Sequence, residues 1–328
     1  MFRGFLIFCA MAQLGGTVSD RPIVGIMTMD LERSFKLAYP GHDSYIAASY
    51  VKAVEGAGAR AVPIFIGQSE AYYWKMAESI NGLLIPGGGA RFNGTDNFFA
   101  ASKMMYDLAL KMNGNNVHFP VFGVCLGFEL LLRFASDDEN VRRSCKGGVI
   151  HHVNMPLKFV SGFKKSSLFK SLPKRTSRAL QTNITINNHV WCLYQDDFKR
   201  NNLENDWKIL ATSDDLQGNS FIAAVEHAKY PISGVQFHPE KNIYEWGRAL
   251  PFIRSPKAIE ASRYFYDWLV GEAKKNSHSF TEPHLEQEAL IYNFAPSHSD
   301  LFHESIKLNF TQIYLFNTRY LTLKYVSD

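Results

Sequence analysis

Four cysteines in 328 residues are too few to staple a chain that lacks a core, and Cys9 sits within the first ten positions. The other three, Cys125, Cys145 and Cys192, form an odd set, so stability must come from apolar burial. Cys145 and Cys192 can pair with one another or stay as buried or free thiols, and their spacing does not choose. Long apolar runs are also missing: the stretch from Phe5 to Ala12 falls well short of the ~20 residues of a membrane span. Lys and Arg number 35 against 31 Asp and Glu, a formal charge of +4 without basic blocks, which excludes the footprint of a nucleic-acid binder. The histidines, His151-His152 included, show no pair at helical spacing with an acid, so neither a metal nor another cofactor is expected. Internal repeats are absent.

What is present is ordinary globular material, 46% hydrophobic and 20% charged. Arg3, the short apolar run and Ala10-Met11-Ala12 read as a secretory leader over residues 1–19, cut after the A-x-A site or just before Asp20; a buried first strand is the other reading. Three glycosylation sequons, at Asn93, Asn183 and Asn309, agree with that route.

The body alternates strand and helix. Pro22 to Met27, Arg60 to Phe65 and Gly82 to Ile85 read as strands. Between and after them, helices are expected around Ala47 to Ala57, over Ser69 to Ile80 and over Phe98 to Met112. Units of this length predict an α/β fold: a mostly parallel central sheet with helices on both faces, whose sites lie at the carboxyl ends of the strands. Trp207 to Thr212, Phe221 to Glu226 and Ile232 to Phe237 are further strands. Ser255 as cap and Pro256 at the first turn open a helix whose face carries Ile259, Ser262, Tyr266, Leu269 and Ala273. Asn276 to Glu288 reads as a polar surface excursion. The division expected is leader, one catalytic domain over 20–295, and a tail over 296–328.

The chemistry gathers at Gly123-Val124-Cys125-Leu126-Gly127. Small residues two places either side of a nucleophile are what a tight strand-to-helix bend requires. At the start of the following helix, free N–H groups and the dipole favour a thiolate, and the N–H of Leu126 points where an oxyanion would form. Gly87 and Gly88 follow a strand and, facing Cys125 across the sheet edge, offer a second oxyanion donor. They lack the Lys-Ser/Thr ending of a phosphate loop. The strand ending at Phe237 delivers His238-Pro239-Glu240: a base, a residue that ends the strand, and a carboxylate placed to hold the imidazole.

Gly123-x-Cys125-x-Gly127 followed by Gly234-Val235-Gln236-Phe237-His238-Pro239-Glu240 resembles the class I glutamine amidotransferase-like superfamily. Within it the chain is similar to the gamma-glutamyl hydrolases, on Tyr45 to Lys52, Cys125 to Glu129, Tyr230-Pro231, Tyr244-Glu245-Trp246, Glu272 to Asn276 and Ala289 to Tyr292. The resemblance spans about Arg21 to Tyr292. It implies a thiol hydrolase of folylpoly-γ-glutamates, in lysosomes or secreted, with Cys125 as nucleophile, His238 as proton carrier and Glu240 as its orienter. It further implies a homodimer and a substrate-binding or catalytic role for His189. Glu129 faces the site or supports it. At about pH 5 an unperturbed thiol is only about one part in three thousand ionised, so a preformed thiolate–imidazolium pair is expected. A glutaminase feeding ammonia to a synthase, and a secreted binding protein on an inactive frame, are the competing classes.

Overall fold

Ile23–Met27 (β1) is buried at every position, as a strand with helices over both faces must be. It is followed by Met29–Asp30 (β2), Ser44–Ala47 (β3), Arg60–Ile64 (β4), Gly82–Ile85 (β5) and Val121–Val124 (β6). The next strands are Arg143–Ser144 (β7), Ile150–Met155 (β8), Lys158–Phe159 (β9), Thr185–His189 (β10) and Trp191–Cys192 (β11). Trp207–Asp214 (β12), Ser220–His227 (β13), Ile232–Val235 (β14), Ser297–His298 (β15) and Gln312–Phe316 (β16) complete the set. This computed structural model describes residues 19–31, 33–136, 138–247, 251–299 and 310–318.

The central sheet runs β4-β1-β5-β6-β14-β13-β12-β9. Its first five strands are parallel and the last three antiparallel, which is the mostly parallel sheet expected. The helices are Arg33–Ala38 (α1), Ala48–Gly56 (α2), Glu70–Ser79 (α3), Asn97–Gly114 (α4), Leu126–Ser136 (α5), Lys174–Leu180 (α6), Gln195–Arg200 (α7), Lys241–Tyr244 (α8), Pro256–Ala273 (α9) and Pro283–Ala289 (α10). Helix α2 packs on α9 and on β1, whereas α3 packs on α4 and α4 on α5, so the sheet is clothed by two sets of helices. Ser69 caps α3 by accepting from the Tyr72 N–H, and Asp96 caps α4 by accepting from Phe99. None of the described helices is long and apolar enough to cross a membrane.

Three local expectations change. Ser255 stands at the start of α9, but its carbonyl takes the Ala258 and Ile259 N–H groups while its hydroxyl caps nothing and has no partner among the described residues. Ile259, expected on the packed face of that helix, is 36% exposed. The excursion after Asn276 is anchored at its root: Asn81 joins Ile23 to Asn276 and His278 through buried side-chain hydrogen bonds, and α10 then forms within it.

The segment set apart as a tail also carries structure. β16 pairs antiparallel with β3, and with β15 and β2 it builds a four-stranded sheet beside α2. Lys52 reinforces the join by donating to Gln312 at 2.6 Å. Alternation hides this strand, because only Ile313 and Phe316 are buried. Of the leader, only Ser19 lies among the described residues; Asn309 lies outside them.

Candidate active site

Cys125 occupies the single residue between β6 and α5 with φ +51°, the left-handed region that costs a non-glycine residue about 1–2 kcal/mol. Its N–H donates to Val235 O at 2.8 Å and its carbonyl accepts from Glu129 N at 3.0 Å, so strand and helix together hold the strained turn. A Cβ on Gly127 would lie 2.0 Å from Ile85 O, and one on Gly123 would lie 2.7 Å from the Gly127 carbonyl. The expected steric reason for both glycines is therefore the one the bend imposes.

His238 arrives from the end of β14, pinned by its own N–H to Ile186 O at 2.8 Å. Its Nδ1 faces Glu240 Oε1 at 2.8 Å, and the Tyr266 hydroxyl donates to Glu240 Oε2 at 3.3 Å. The two halves of the chain meet at Gly87. A Cβ there would sit 2.9 Å from His238 Cε1 and 3.0 Å from Cys125 Cβ, so imidazole and nucleophile are neighbours across one gap. With Nδ1 held by Glu240, Nε2 is the nitrogen left for the thiol proton.

The oxyanion expectation is corrected at one residue. The Gly87 N–H donates to Tyr50 Oη at 2.9 Å, so it is not open to a substrate; the lack of a side chain, not the amide, is what Gly87 contributes. The Gly88 N–H has no acceptor among the described residues, and the Leu126 N–H is directed at the Cys125 sulfur. These two amides remain as the donors.

Burial reshapes the titration expected from sequence. It pushes the Cys125 thiol up, helped by the nearby Glu129 carboxylate, against the opposing pull of Lys241 and the Leu126 N–H. Burial and then Lys241 pull His238 down, against Glu240. Both shifts run against the preformed thiolate–imidazolium pair expected from sequence, since burial disfavours the charged form of each group. Glu240 is buried as well, yet His238 and Lys241 keep its carboxyl below the ordinary carboxylate value.

Glu129, 2% exposed, has both oxygens taken, one by Gln236 Nε2 at 2.9 Å and the other by Arg142. It supports the elbow from behind. His189 ends β10 beside the nucleophile, and the Asn188 carbonyl lies 4.0 Å from Cys125 Sγ. Its Nδ1 faces Trp191 O at 2.8 Å and its Nε2 faces Asn187 Oδ1 at 3.2 Å; a neutral ring has one N–H, and the shorter contact places it on Nδ1, donating to Trp191 O. Burial lowers its pKa to about 3. Tyr50, Gln236, Arg142 and Tyr266 escaped the sequence reading of the site. Gln236 and Tyr50 stood inside stretches already singled out; Arg142 carried no signal at all.

Cys145 and Cys192 are joined in a disulfide, which resolves the alternatives left open above. With His189 they form the one group among the described residues with metal-ligand spacing, but as a disulfide the sulfurs present no thiolate to a cation.

Residues 22–240 match the profile of the family described as Peptidase C26. Gamma-glutamyl hydrolase of Mus musculus is 40% identical over 304 residues, covering 91% of this chain and 90% of its own. Gamma-glutamyl hydrolase of Homo sapiens is 34% identical over 319 residues, covering 95% and 96%, and gamma-glutamyl hydrolase B of Dictyostelium discoideum is 33% identical over 316, covering 96% and 88%. A strained cysteine elbow, a histidine brought to it from the far half of the sheet and similarity along nearly the whole chain lead to one assignment: the chain belongs to the peptidase C26 family.

Proposed function

We propose that this cysteine hydrolase cleaves the γ-glutamyl amide bonds of folylpoly-γ-glutamates, with Cys125, His238 and Glu240 as its working residues. The observation that carries the reading is the meeting of the Cys125 elbow and the His238 ring at Gly87, with Glu240 behind the ring. His238 Nε2 takes the thiol proton as Sγ attacks the γ-carbonyl carbon, so the sulfur loses its proton to the ring that stands beside it. Leu126 and Gly88 N–H groups hold the oxyanion. On collapse the C–N bond breaks, His238 gives its proton to the departing amine, and a thioester remains. Water, deprotonated by the same nitrogen, then attacks the thioester and returns the thiol.

Glu240, oriented by Tyr266, keeps the ring turned and favours its protonated form while the reaction needs it. His189 helps to set the Asn188 carbonyl beside the sulfur through its hydrogen bond to Trp191 O. We place the protein in an acidic compartment of the secretory route or outside the cell. A disulfide and the exposed sequon residues Asn93 and Asn183 support that placement. So does the His238 pKa, which burial and Lys241 hold below the ordinary histidine value. A homodimer is the assembly proposed, on the resemblance to the hydrolases.

The test is incubation at acid pH with folate pentaglutamate and, separately, glutamine, followed by mass spectrometry. Shortened folates that vanish with Cys125→Ala are expected. Ammonia from glutamine without chain shortening would replace this reading with a glutaminase, and inertness toward both with an unreactive Cys125 would replace it with a binding protein.

A further inference from the structure

Gln236 is fully buried one residue beyond β14, and its backbone N–H is bonded to Ala223 O at 3.0 Å. Its side-chain nitrogen makes two contacts, with Glu129 Oε1 at 2.9 Å and with Cys125 Sγ at 3.9 Å. Its Oε1 is buried with no partner among the described residues. A buried carbonyl without a donor is costly, so an amide that leaves its acceptor empty while using both hydrogens needs a reason.

The reason is the acid beside it. A carboxylate only accepts, so Glu129 faces the amide nitrogen; turned over, Gln236 would set its oxygen against a carboxylate oxygen with no hydrogen between them. Arg142 lies over the Phe92 ring at 3.6 Å and the Trp191 ring at 4.8 Å, pairs with the other Glu129 oxygen and, against burial, favours its ionised form. With one N–H given to Glu129, the other is left for the sulfur. A thiol whose hydrogen is turned to the Asn188 carbonyl, 4.0 Å away, has a lone pair to receive it. The Glu129 charge by itself opposes a negative sulfur, but through the amide it presents that sulfur with a donor.

We propose that Gln236 is a further catalytic residue: held by Glu129 so that it can only donate, its amide gives an N–H to Cys125 Sγ and stabilises the sulfur while negative charge collects there. Glu129 and Arg142 are then positioning residues that act through the amide. The inference rests on the thiol-hydrolase reading above. The Leu126 N–H also points at the sulfur, but it is taken up by the oxyanion once a substrate is attacked, so the Gln236 N–H is a donor that stays with the sulfur. It serves most when the thioester is hydrolysed. The water oxygen is then bonded to the acyl carbon, the C–S bond breaks with its electron pair passing to Sγ, and the proton that His238 took from the water returns to the sulfur.

The experiment measures the rate of Cys125 alkylation by iodoacetamide at fixed pH, read by mass spectrometry of the Cys125 peptide, beside kcat for folate pentaglutamate. Gln236→Met and Gln236→Leu both remove the donor, the first keeping the length of the side chain, and each is expected to slow alkylation and lower kcat about tenfold. Loosened packing alone would open the site and leave alkylation as fast or faster. Either variant, melting as wild type does and alkylated at the wild-type rate or above, would therefore overturn the proposal. Glu129→Gln tests the orientation separately. It is expected to lower kcat about tenfold in the wild-type background and to add little to Gln236→Met, because the acid works through the amide; equal losses in both backgrounds would overturn that link. Wild-type protein whose Cys125 resists iodoacetamide would overturn the thiol-hydrolase reading itself, whereas a reactive Cys125 with no shortening of folate pentaglutamate would overturn only the substrate.

Discussion

Replacing Cys145 and Cys192 together by serine removes a crosslink that closes a loop with a sequence separation of 47. In the chain-entropy account, a loop of that length contributes about 4 kcal/mol by limiting the unfolded chain. At about 2–4 °C per kcal/mol for sizeable domains, the thermal midpoint should fall by about 8 °C or somewhat more. The same change reaches the active site, because Cys145 N–H donates to Val190 O at 3.0 Å and Cys145 Sγ lies 3.5 Å from His189 Nδ1. Freed from Cys192, the Asn187 to Trp191 segment loses the brace that sets the Asn188 carbonyl beside the nucleophile, and kcat should drop with it. Denaturant titration followed by tryptophan fluorescence measures the first effect, and steady-state kinetics the second. A thiol count on denatured, unreduced protein that finds Cys145 and Cys192 reactive would refute the pairing. An unchanged unfolding midpoint would refute the entropy argument.

Gly127→Ala drives a methyl group into the carbonyl of Ile85, backbone that cannot rotate away, so a loss of about 3 kcal/mol or more and of activity is expected by thermal melts and turnover. Because burial and Lys241 lower the His238 pKa, the acid limb of kcat/KM should lie below the ordinary histidine value, with activity lost only as pH falls through it. Glu240→Gln removes the carboxylate that raises the His238 pKa, so the limb should move to still lower pH while kcat falls about a hundredfold or more, read from a pH–rate profile. Glu272 is buried, but hydrogen bonds and charge from His118 and Lys275 bring its pKa down to about 2. Its folded value lies below its unfolded one, so it stabilises the fold above the unfolded pKa, and that contribution fades as pH falls toward 2. Glu272→Gln should thus melt lower than wild type at neutral pH and close to it near the bottom of that window.

Much of the site was legible because an elbow advertises itself. The bend at Cys125 tolerates no Cβ at 123 or 127, and β14, which ends at Val235, leads the chain to His238 at the same sheet edge. Charge state was not legible. Sequence reasoning placed a helix terminus and an imidazole beside a thiol and inferred an ion pair, whereas the desolvation that opposes it depends on how completely the elements close over the site. Hydrogen-bond use was hidden as well: Gly87 was read as a donor because its amide faces the nucleophile's edge, and only packing brings Tyr50 to occupy it.

Local pattern alone gave the alternation of buried strands and amphipathic helices and pointed to Cys125 and His238 as candidate nucleophile and base, since each is dictated by neighbours within a few residues. The folded chain decided what long-range contact must decide: the pairing of Cys145 with Cys192 and the return of Gln312–Phe316 to Ser44–Ala47. Those outcomes depend on which distant surfaces exclude water from one another, and such exclusion leaves no periodicity in the residues that take part.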